Sequence, residues 1–285
     1  MKQYADLHVH TNLSDGSDTV AEVLALAQRN NVSVLSITDH NTVDAYSGGA
    51  REAAARAGLR LIPGVELDTI YQGRQYHMLA FGADVQNPRL RQACAHNAGA
   101  QEAYNLSLLR HMEADGLGVS EADYHQYAIP LGRGGWKLLN YLLDIGMTKS
   151  LLEGTKFYGQ YGFHANTIDF LSLEEAVGVA KEAGGIPILA HPAEQIRYDP
   201  YAAQNDAFWS ALDEVLQSGV EGVECIHPLH EFDLQRDLIA LCQARGLFIS
   251  GGTDYHGHFF NKQKQTVGGQ FVAVDLVQRL IDSVP

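Results

Sequence analysis

The chain carries 13 histidines in 285 residues, and two of them, His8 and His10, stand two apart in Tyr4-Ala5-Asp6-Leu7-His8-Val9-His10. On a strand, successive side chains alternate faces, so these two imidazoles point the same way and can hold one metal ion. Asp15, in the turn-rich Ser14-Asp15-Gly16, offers an oxygen ligand. Alone, a His-x-His pair is as readily a surface or core pair. The other imidazoles and carboxylates shift that balance, because His40, Glu66, His191, Glu224, His227, Asp254 and His256 all fall at or just beyond the ends of strand-like runs. His96, His111, His125 and His164 have no such placement and read as surface residues, and His258 has no clear partner. Imidazoles and carboxylates without thiolates suit zinc, manganese or iron. There are more ligands than one ion needs, so two or three divalent ions are expected. Such ions make a usable hydroxide near neutral pH, and paired ions suit in-line attack at phosphorus.

The elements that must position these groups follow from periodicity. A helix over Thr19 to Asn30 places Val20, Val23, Leu24 and Ala27 at helical spacing. The apolar run Val32 to Ile37 is a strand ending in Thr38-Asp39-His40-Asn41. A second helix, from Asp44 to Ala57, stops at Gly58, and Leu59 to Ile62 is a strand closing in Pro63-Gly64-Val65-Glu66. A hairpin follows, from Leu67 to Tyr71 and Gln75 to Phe81. Its register matters: a turn at Gly73-Arg74 pairs His77 with Ile70 and leaves Glu66 about 13 Å away. A turn at Tyr71-Gln72, or a bulge, brings His77 opposite Glu66.

From about Asn87 to Ser172 the strand and helix alternation lapses into polar helices, including Asn97 to Ala114 and Leu138 to Leu143, which predicts a small inserted helical domain. Alternation resumes with a helix over Leu173 to Ala183, opened by the capping box Ser172 and Glu175. Strands over Ile186 to Ala190, Gly222 to Ile226 and Leu247 to Ser250 end in His191-Pro192, His227-Pro228 and Gly251-Gly252-Thr253-Asp254-Tyr255-His256, with helices over Asp206 to Ser218 and 231 to 245 between them. The barrel segments are therefore 1–86 and 173–285, and the insertion is 87–172. Strand and helix units in series imply an α/β fold with a parallel sheet or barrel, whose chemistry gathers at the carboxyl ends of the strands.

A net charge of −14 argues against a duplex nucleic-acid coat or an anionic membrane as the main partner. The three cysteines, Cys94, Cys225 and Cys242, have no paired spacing, which points to a reducing, cytoplasmic setting. No run approaches the roughly 18 apolar residues of a membrane span, and no leader pattern opens the chain.

Taken together the motifs resemble the PHP family, the polymerase and histidinol phosphatase domains. They are Asp6-Leu7-His8-Val9-His10-Thr11 with Ser14-Asp15-Gly16, Thr38-Asp39-His40-Asn41, Pro63-Gly64-Val65-Glu66, His77, Ala190-His191-Pro192 and Gly252-Thr253-Asp254-Tyr255-His256-Gly257. The resemblance implies a distorted (β/α)7 TIM-like barrel whose site holds three metal ions. It implies that His8, His10, Glu66 and Asp254 hold the first, that Glu66 bridges to a second held by His77 and His191, and that Asp15, His40 and His256 hold the third. Where some members have a histidine at the position of Asp15, this chain has a carboxylate. The insertion resembles that of the small metal-dependent phosphoesterases, which include enzymes acting on nucleoside 3',5'-bisphosphates and cyclic sugar phosphates.

That resemblance implies a phosphoesterase in which metal-bound hydroxide attacks phosphorus in line in a small phosphorylated metabolite. Arg133, in Gly132-Arg133-Gly134-Gly135 at an expected helix start, is the leading phosphate-binding candidate, followed by Lys156, with Lys137 and Arg197 weaker. His230 is the candidate to protonate a leaving oxygen, with Asp254 as its catalytic companion and Glu224 either orienting His230 or pairing inside the barrel. Other readings are a histidinol-phosphate-type monophosphatase, a hydrolase of an amide or lactone, and a non-catalytic metal-binding module. A polymerase-associated exonuclease is disfavoured by chain length and charge, so no stable long nucleic-acid partner is expected.

Overall fold

The structure is a computed structural model that describes residues 3–196, 206–259 and 265–285. The first strand, β1 (Tyr4–Asp6), leads to α1 (Val20–Arg29), which Thr19 and Glu22 cap reciprocally. β2 (Val32–Ile37) follows. The helix expected over 44–57 is broken into a 3-10 turn at Asp44–Tyr46 and α2 (Ala50–Arg56). Gly48 and Gly49 separate the two pieces, with φ of 73° and 89°.

β3 (Arg60–Tyr71) is a single 12-residue strand rather than two short ones. Its first residues pair in parallel with β2, and Gly64 to Tyr71 pair antiparallel with β4 (Arg74–Phe81). The hairpin turn falls on Gln72-Gly73, with Tyr71 opposite Arg74, midway between the two expected registers. His77 is therefore opposite Asp68, and Glu66 is two residues further along the same face, within diagonal reach.

α3 (Pro88–Ala114) starts nine residues earlier than expected, with Pro88 in its first turn and the Asn87 side chain capping it. Its first half packs Leu90, Ala93 and Cys94 against the barrel core. Its second half joins α4 (Glu121–Gln126), α5 (Lys137–Asp144) and α6 (Lys156–Gln160) in a separate cluster that contains Leu108, Met112, Tyr124, Leu138, Leu142 and Phe157. The main fold then resumes with α7 (Leu173–Glu182), β5 (Ile186–Leu189), α8 (Pro192–Ile196), α9 (Asp206–Leu216), β6 (Gly222–Ile226), α10 (Phe232–Arg245) and β7 (Phe248–Gly251). It closes with β8 (Val272–Ala273) and α11 (Val274–Asp282).

The sheet order is β7-β6-β5-β4-β3-β2-β1-β8. Seven strands form the wall, as expected, and β8 adds a short antiparallel edge on β1. Closure of the wall comes from backbone bonds beyond the strand ends: Leu7 N donates to Gly251 O (3.1 Å), Asp254 N to His8 O (2.9 Å) and His10 N to Tyr255 O (2.8 Å). Inside, Leu7, Ile62, Leu79, Phe81 and Ile188 cluster with Val277, Leu280 and Ile281 of α11, which plugs the lower end. The inward face of β4 runs from Phe81 through Leu79 to His77, because successive inward residues are two apart. The barrel interior is thus apolar below and titratable above. β4 runs opposite to its neighbours, so its site residue lies in its first half rather than at its carboxyl end.

The closure point leaves no room for a side chain at Gly252, where an added Cβ would sit 2.5 Å from the His8 Cβ and 2.9 Å from Asp6 Oδ1. Gly252→Ala should cost on the order of 1–3 kcal/mol through overpacking. Gly99→Ala, on an open face of α3, should be neutral or stabilising by up to about 1 kcal/mol. Urea unfolding of the two variants checks the contrast.

Candidate metal centre

The upper rim collects side chains from β1 and from the segments that follow β1, β2, β5, β6 and β7, together with β3 and β4. Two buried carboxylates brace the loops that carry the ligands. Asp39 accepts from Thr11 N and Thr11 Oγ1 (both 2.7 Å) and from Ser14 Oγ (2.6 Å), which fixes the turn between His10 and Asp15. Asp6 accepts from Thr253 N, Thr253 Oγ1 and Gly268 N at 2.7–2.9 Å, which holds the loop leading to Asp254. Burial pushes the Asp6 carboxyl up to about 6 even so. Asp254 and Asn41 adopt left-handed backbone, with φ of 50° and 52°. For residues other than glycine this is held only where surrounding bonds over-determine it.

Glu66 has no solvent exposure and sits at the centre. Its Oε2 lies 3.0 Å from His8 Nε2, 3.1 Å from His10 Nε2 and 3.5 Å from His40 Nε2. Its Oε1 lies 3.0 Å from His77 Nδ1 and 3.1 Å from His191 Nε2. Asp254 Oδ1 stands 3.3 Å and 3.2 Å from the same His8 and His10 nitrogens. On the outer side, Asp15 Oδ1 lies 3.3 Å from His256 Nε2 and 3.6 Å from His10 Nδ1. Burial opposes charge on every one of these groups, and the mutual attraction of imidazoles and carboxylates outweighs it for several. The His10 imidazole is thereby raised to about 10, chiefly through Asp254 and Glu66. Glu66 and Asp254 are held well below the usual carboxylate range by the surrounding histidines. His40 goes the other way, because for it desolvation exceeds the attraction of Glu66, Asp68 and Asp15.

Whether this set suits divalent cations can be judged from its donors. His8 Nε2 and His10 Nε2 face each other at 3.1 Å, an approach of two imidazole nitrogens that a shared cation would satisfy. His10 Nδ1 and His40 Nδ1 are buried without a hydrogen-bond partner among the described residues. Three overlapping groups have donor atoms within 4.8 Å of one another: His8, His10, Glu66 and Asp254; His10, Asp15, His40 and His256; and His40, Glu66 and His77. The residues fit divalent ions, with nitrogen and oxygen donors and no thiolate. Asp15 falls with His10 but not with His8. His191 touches the same Glu66 oxygen as His77 but falls outside the three groups.

Behind the ligands are residues that sequence reasoning placed loosely or missed. Glu224, also fully buried, accepts from His8 Nδ1 (2.9 Å) and from His191 N (2.8 Å), so it orients two candidate ligands rather than His230. Asp68 had no assigned role and approaches His77 Nε2 at 3.0 Å. Its signal was the period of two that linked His8 to His10, since Asp68 and Glu66 share a face of β3. His227 Nε2 lies 3.3 Å from Asp254 Oδ2.

The substrate candidates are placed less directly. His230 is buried, its Nδ1 donating to Cys225 O (3.0 Å) and its Nε2 facing Ala193 N at 3.4 Å. Burial and the neighbouring His227 lower it to about 3, so the ring is neutral near pH 7. Arg133 is not at a helix start, since α5 begins four residues later, and its guanidinium bonds Asp144 Oδ1 (2.6 Å). The loop that carries it does reach the site: Gly135 N donates to Asp15 O at 2.6 Å, and Trp136 meets Phe259 edge-on, with ring centroids 6.2 Å apart. Lys156 pairs with Glu153 at 2.9 Å on the surface of the insertion, and Lys137 lies over the Tyr124 ring. Arg197 lies outside the described residues.

A barrel of this topology, with histidines and carboxylates interleaved at its upper rim, defines a metal-dependent hydrolase. The PHP domain model matches residues 6–129. A phosphoribosyl 1,2-cyclic phosphate 1,2-diphosphodiesterase from Eggerthella lenta is 30% identical over 89% of this chain and 94% of its own length. A 3',5'-nucleoside bisphosphate phosphatase from Chromobacterium violaceum is 28% identical over 88% and 86%. A 5'-3' exoribonuclease from Salmonella typhimurium is 28% identical over 88% and 84%. A solved structure from Bifidobacterium adolescentis, provisionally described as a metal-dependent phosphoesterase, superimposes with a TM-score of 0.77 at 21% identity, covering 100% of this chain and 97% of that one. The chain belongs to the PHP family and is a metal-dependent phosphoesterase. Among the described residues no helix is long and apolar enough to cross a membrane.

Ligand imidazoles must lose their protons to bind a cation, and His10 holds its proton up to about pH 10 in the metal-free protein. Metal binding near pH 7 should therefore release protons, and affinity should rise with pH. Calorimetric titration of Mn2+ in buffers of different ionisation enthalpy measures that release; a buffer-independent heat would contradict it. His10→Ala strips a ligand from two of the three donor groups. It should reduce bound metal and lower turnover by more than the ~10–100-fold typical of an outer-shell change, checked by elemental analysis and steady-state rates.

Proposed function

We propose that the centre binds two to three divalent ions, Mn2+, Fe2+ or Zn2+, and hydrolyses a small metabolite carrying a phosphate monoester or cyclic diester. Nucleoside 3',5'-bisphosphates and cyclic sugar phosphates are the leading classes. The observation that carries this reading is Glu66, both of whose oxygens are flanked by imidazoles, beneath a loop contributed by the insertion. His8, His10, Glu66 and Asp254 would hold one ion; Glu66, His77 and His191 a second; Asp15, His40 and His256 a third. Bound there, the ions supply Lewis acidity, lowering the pKa of water and offsetting charge on phosphoryl oxygens.

The chain's own groups do the rest. Glu224 and Glu66 fix the ring of His8, and Asp39 and Asp6 hold the loops that present Asp15 and Asp254. His227 presents Nε2 to Asp254, since its Nδ1 accepts from Leu229 N at 3.2 Å. His230 stays the candidate to protonate a leaving oxygen, and with Nδ1 bonded to Cys225 O it also props the turn that carries His227. A substrate phosphate that reached Arg133 would compete with Asp144 for the guanidinium, and the planar fork suits it to bind phosphate in two places at once. Lys156 stays the second phosphate-binding candidate, by its charge alone. Buried free cysteines suit a reducing cytoplasm.

A second reading is 5'-3' exonucleolysis of RNA, the activity in the name of the Salmonella relative. The net charge of −14 weighs against a long polyanion. Hydrolysis of an amide or lactone is less favoured, because the relatives named above are described as acting on phosphate esters.

Product analysis on nucleoside 3',5'-bisphosphates, cyclic sugar phosphates, histidinol phosphate and 5'-phosphorylated oligoribonucleotides, each with added Mn2+, separates these readings: inorganic phosphate reports monoester hydrolysis, a ring-opened monoester reports cyclic diester hydrolysis, and nucleoside monophosphates report exonucleolysis. The expected outcome is turnover of the bisphosphates or cyclic phosphates well above the oligonucleotides. Oligonucleotides as the best substrates would favour the second reading, and inactivity throughout would overturn both. Arg133→Met should raise KM by about tenfold, with a smaller change in kcat, as expected for loss of a charge-assisted phosphate contact.

A further inference from the structure

Asp68 is buried and belongs to none of the three donor groups. It nevertheless faces His77, which belongs to the third of them. Asp68 Oδ1 lies 3.0 Å from His77 Nε2, while His77 Nδ1 lies 3.0 Å from Glu66 Oε1. One ring thus has a carboxylate at each nitrogen, the central one on one side and Asp68 on the other. Gln75 Nε2 donates to the same Asp68 oxygen at 3.1 Å and consequently sits 3.3 Å from His77 Nε2, two donors sharing one acceptor.

The other Asp68 oxygen takes a close hydrogen bond from the Asn41 side-chain amide and lies 3.7 Å from His40 Nδ1. Asn41 is itself fixed. Its backbone N donates to Glu66 O, and its Oδ1 accepts from Asp68 N (3.2 Å) and from Asn97 Nδ2 (2.9 Å). Asn97, fully buried on α3, also donates to Asp68 O (2.7 Å) and accepts from Leu171 N (3.1 Å). A carboxylate anchored on so many sides has little rotational freedom, and it directs whichever group touches it.

We infer that Asp68 is a positioning residue that holds the proton of His77 on Nε2, leaving Nδ1 as the ligand nitrogen beside Glu66, and that Asn41 and Asn97 lock Asp68 in that orientation. A histidine ligand is oriented and made more basic when its second nitrogen donates to a carboxylate. Glu224 stands in the same relation to His8, Nδ1 to carboxylate and Nε2 to the centre, so the two bound histidines present opposite nitrogens because their carboxylates lie on opposite sides. Through Asn97 the device also ties the first helix of the insertion to the geometry of the centre. The inference rests on reading the donor cage as a metal centre.

The test is zinc titration of the metal-stripped full chain by calorimetry, combined with long-range nitrogen and proton NMR spectra of its histidines in the zinc-loaded state. His77 should show a proton on Nε2 and a zinc-shifted Nδ1. Asp68→Ala should weaken one class of zinc site by ~10–100-fold and remove the His77 tautomer signature. Asp68→Asn keeps an acceptor oxygen and should recover part of the loss. Asn97→Ala touches no histidine and should give a smaller loss at the same class of site, while circular dichroism shows both aspartate variants folded. A His77 protonated on Nδ1 in the zinc-loaded wild type would overturn the inference, as would zinc affinities in Asp68→Ala equal to wild type. A wild type that binds no zinc would instead overturn the metal-centre reading beneath it.

Discussion

Everything at the upper rim answers to the burial of the Glu66 carboxylate. An ionised carboxylate removed from water costs several kcal/mol unless it is paired and hydrogen-bonded, and this one is surrounded on both oxygens by imidazoles from four separate segments of the chain. Those imidazoles need partners in turn. Glu224, Asp68 and Asp254 provide them; Glu224 is anchored by the His191 backbone amide, and Asp68 by the Asn41 side chain, which Asn97 holds in turn. The result is a nested arrangement in which each charge is compensated locally while the innermost donors still converge on shared points. The Nε2 atoms of His8 and His10 face each other and the same carboxylate oxygens of Glu66 and Asp254, a convergence of donors that suits a shared cation.

The barrel makes such convergence affordable. Its lower half is apolar and sealed by α11, so the ligand-bearing loops rest on a rigid floor. Its wall closes through backbone bonds made by the same residues that carry the ligands, His8, His10 and Asp254. Closure and ligand placement are therefore one structural event, and distortion of either should disturb the other.

Much of this was legible in the chain. His8 and His10 follow from strand alternation, and the ends of β2, β5 and β7 announce His40, His191, Asp254 and His256 because apolar runs stop abruptly at them. The capping box at Ser172 was readable from spacing alone, while the one at Thr19 emerged only in the structure. His77 was harder, since hairpin register depends on which two residues turn, and Gln72-Gly73 gave a pairing between the two considered. Asp68 escaped because it lies inside a strand rather than at its end, and only the hairpin register set by the turn on Gln72-Gly73 puts it opposite His77. The pairing of Arg133 with Asp144 depends on how α5 packs within the insertion, a long-range outcome that no local pattern encodes. The start of α3 was missed because its first half belongs to the barrel core, so its apolar face is shared between two clusters.

The insertion touches the site through Gly135 and Trp136 and is rooted in the barrel through Asn97. Under the proposed function it would cover bound substrate. The most direct test of the whole account is anomalous diffraction from crystals grown with Mn2+, recorded at the manganese absorption edge. The account predicts separate peaks on the two sides of the Glu66 carboxylate, one beside His8 and His10 and one beside His77 and His191. Fully occupied crystals with no peak in contact with Glu66 would contradict it.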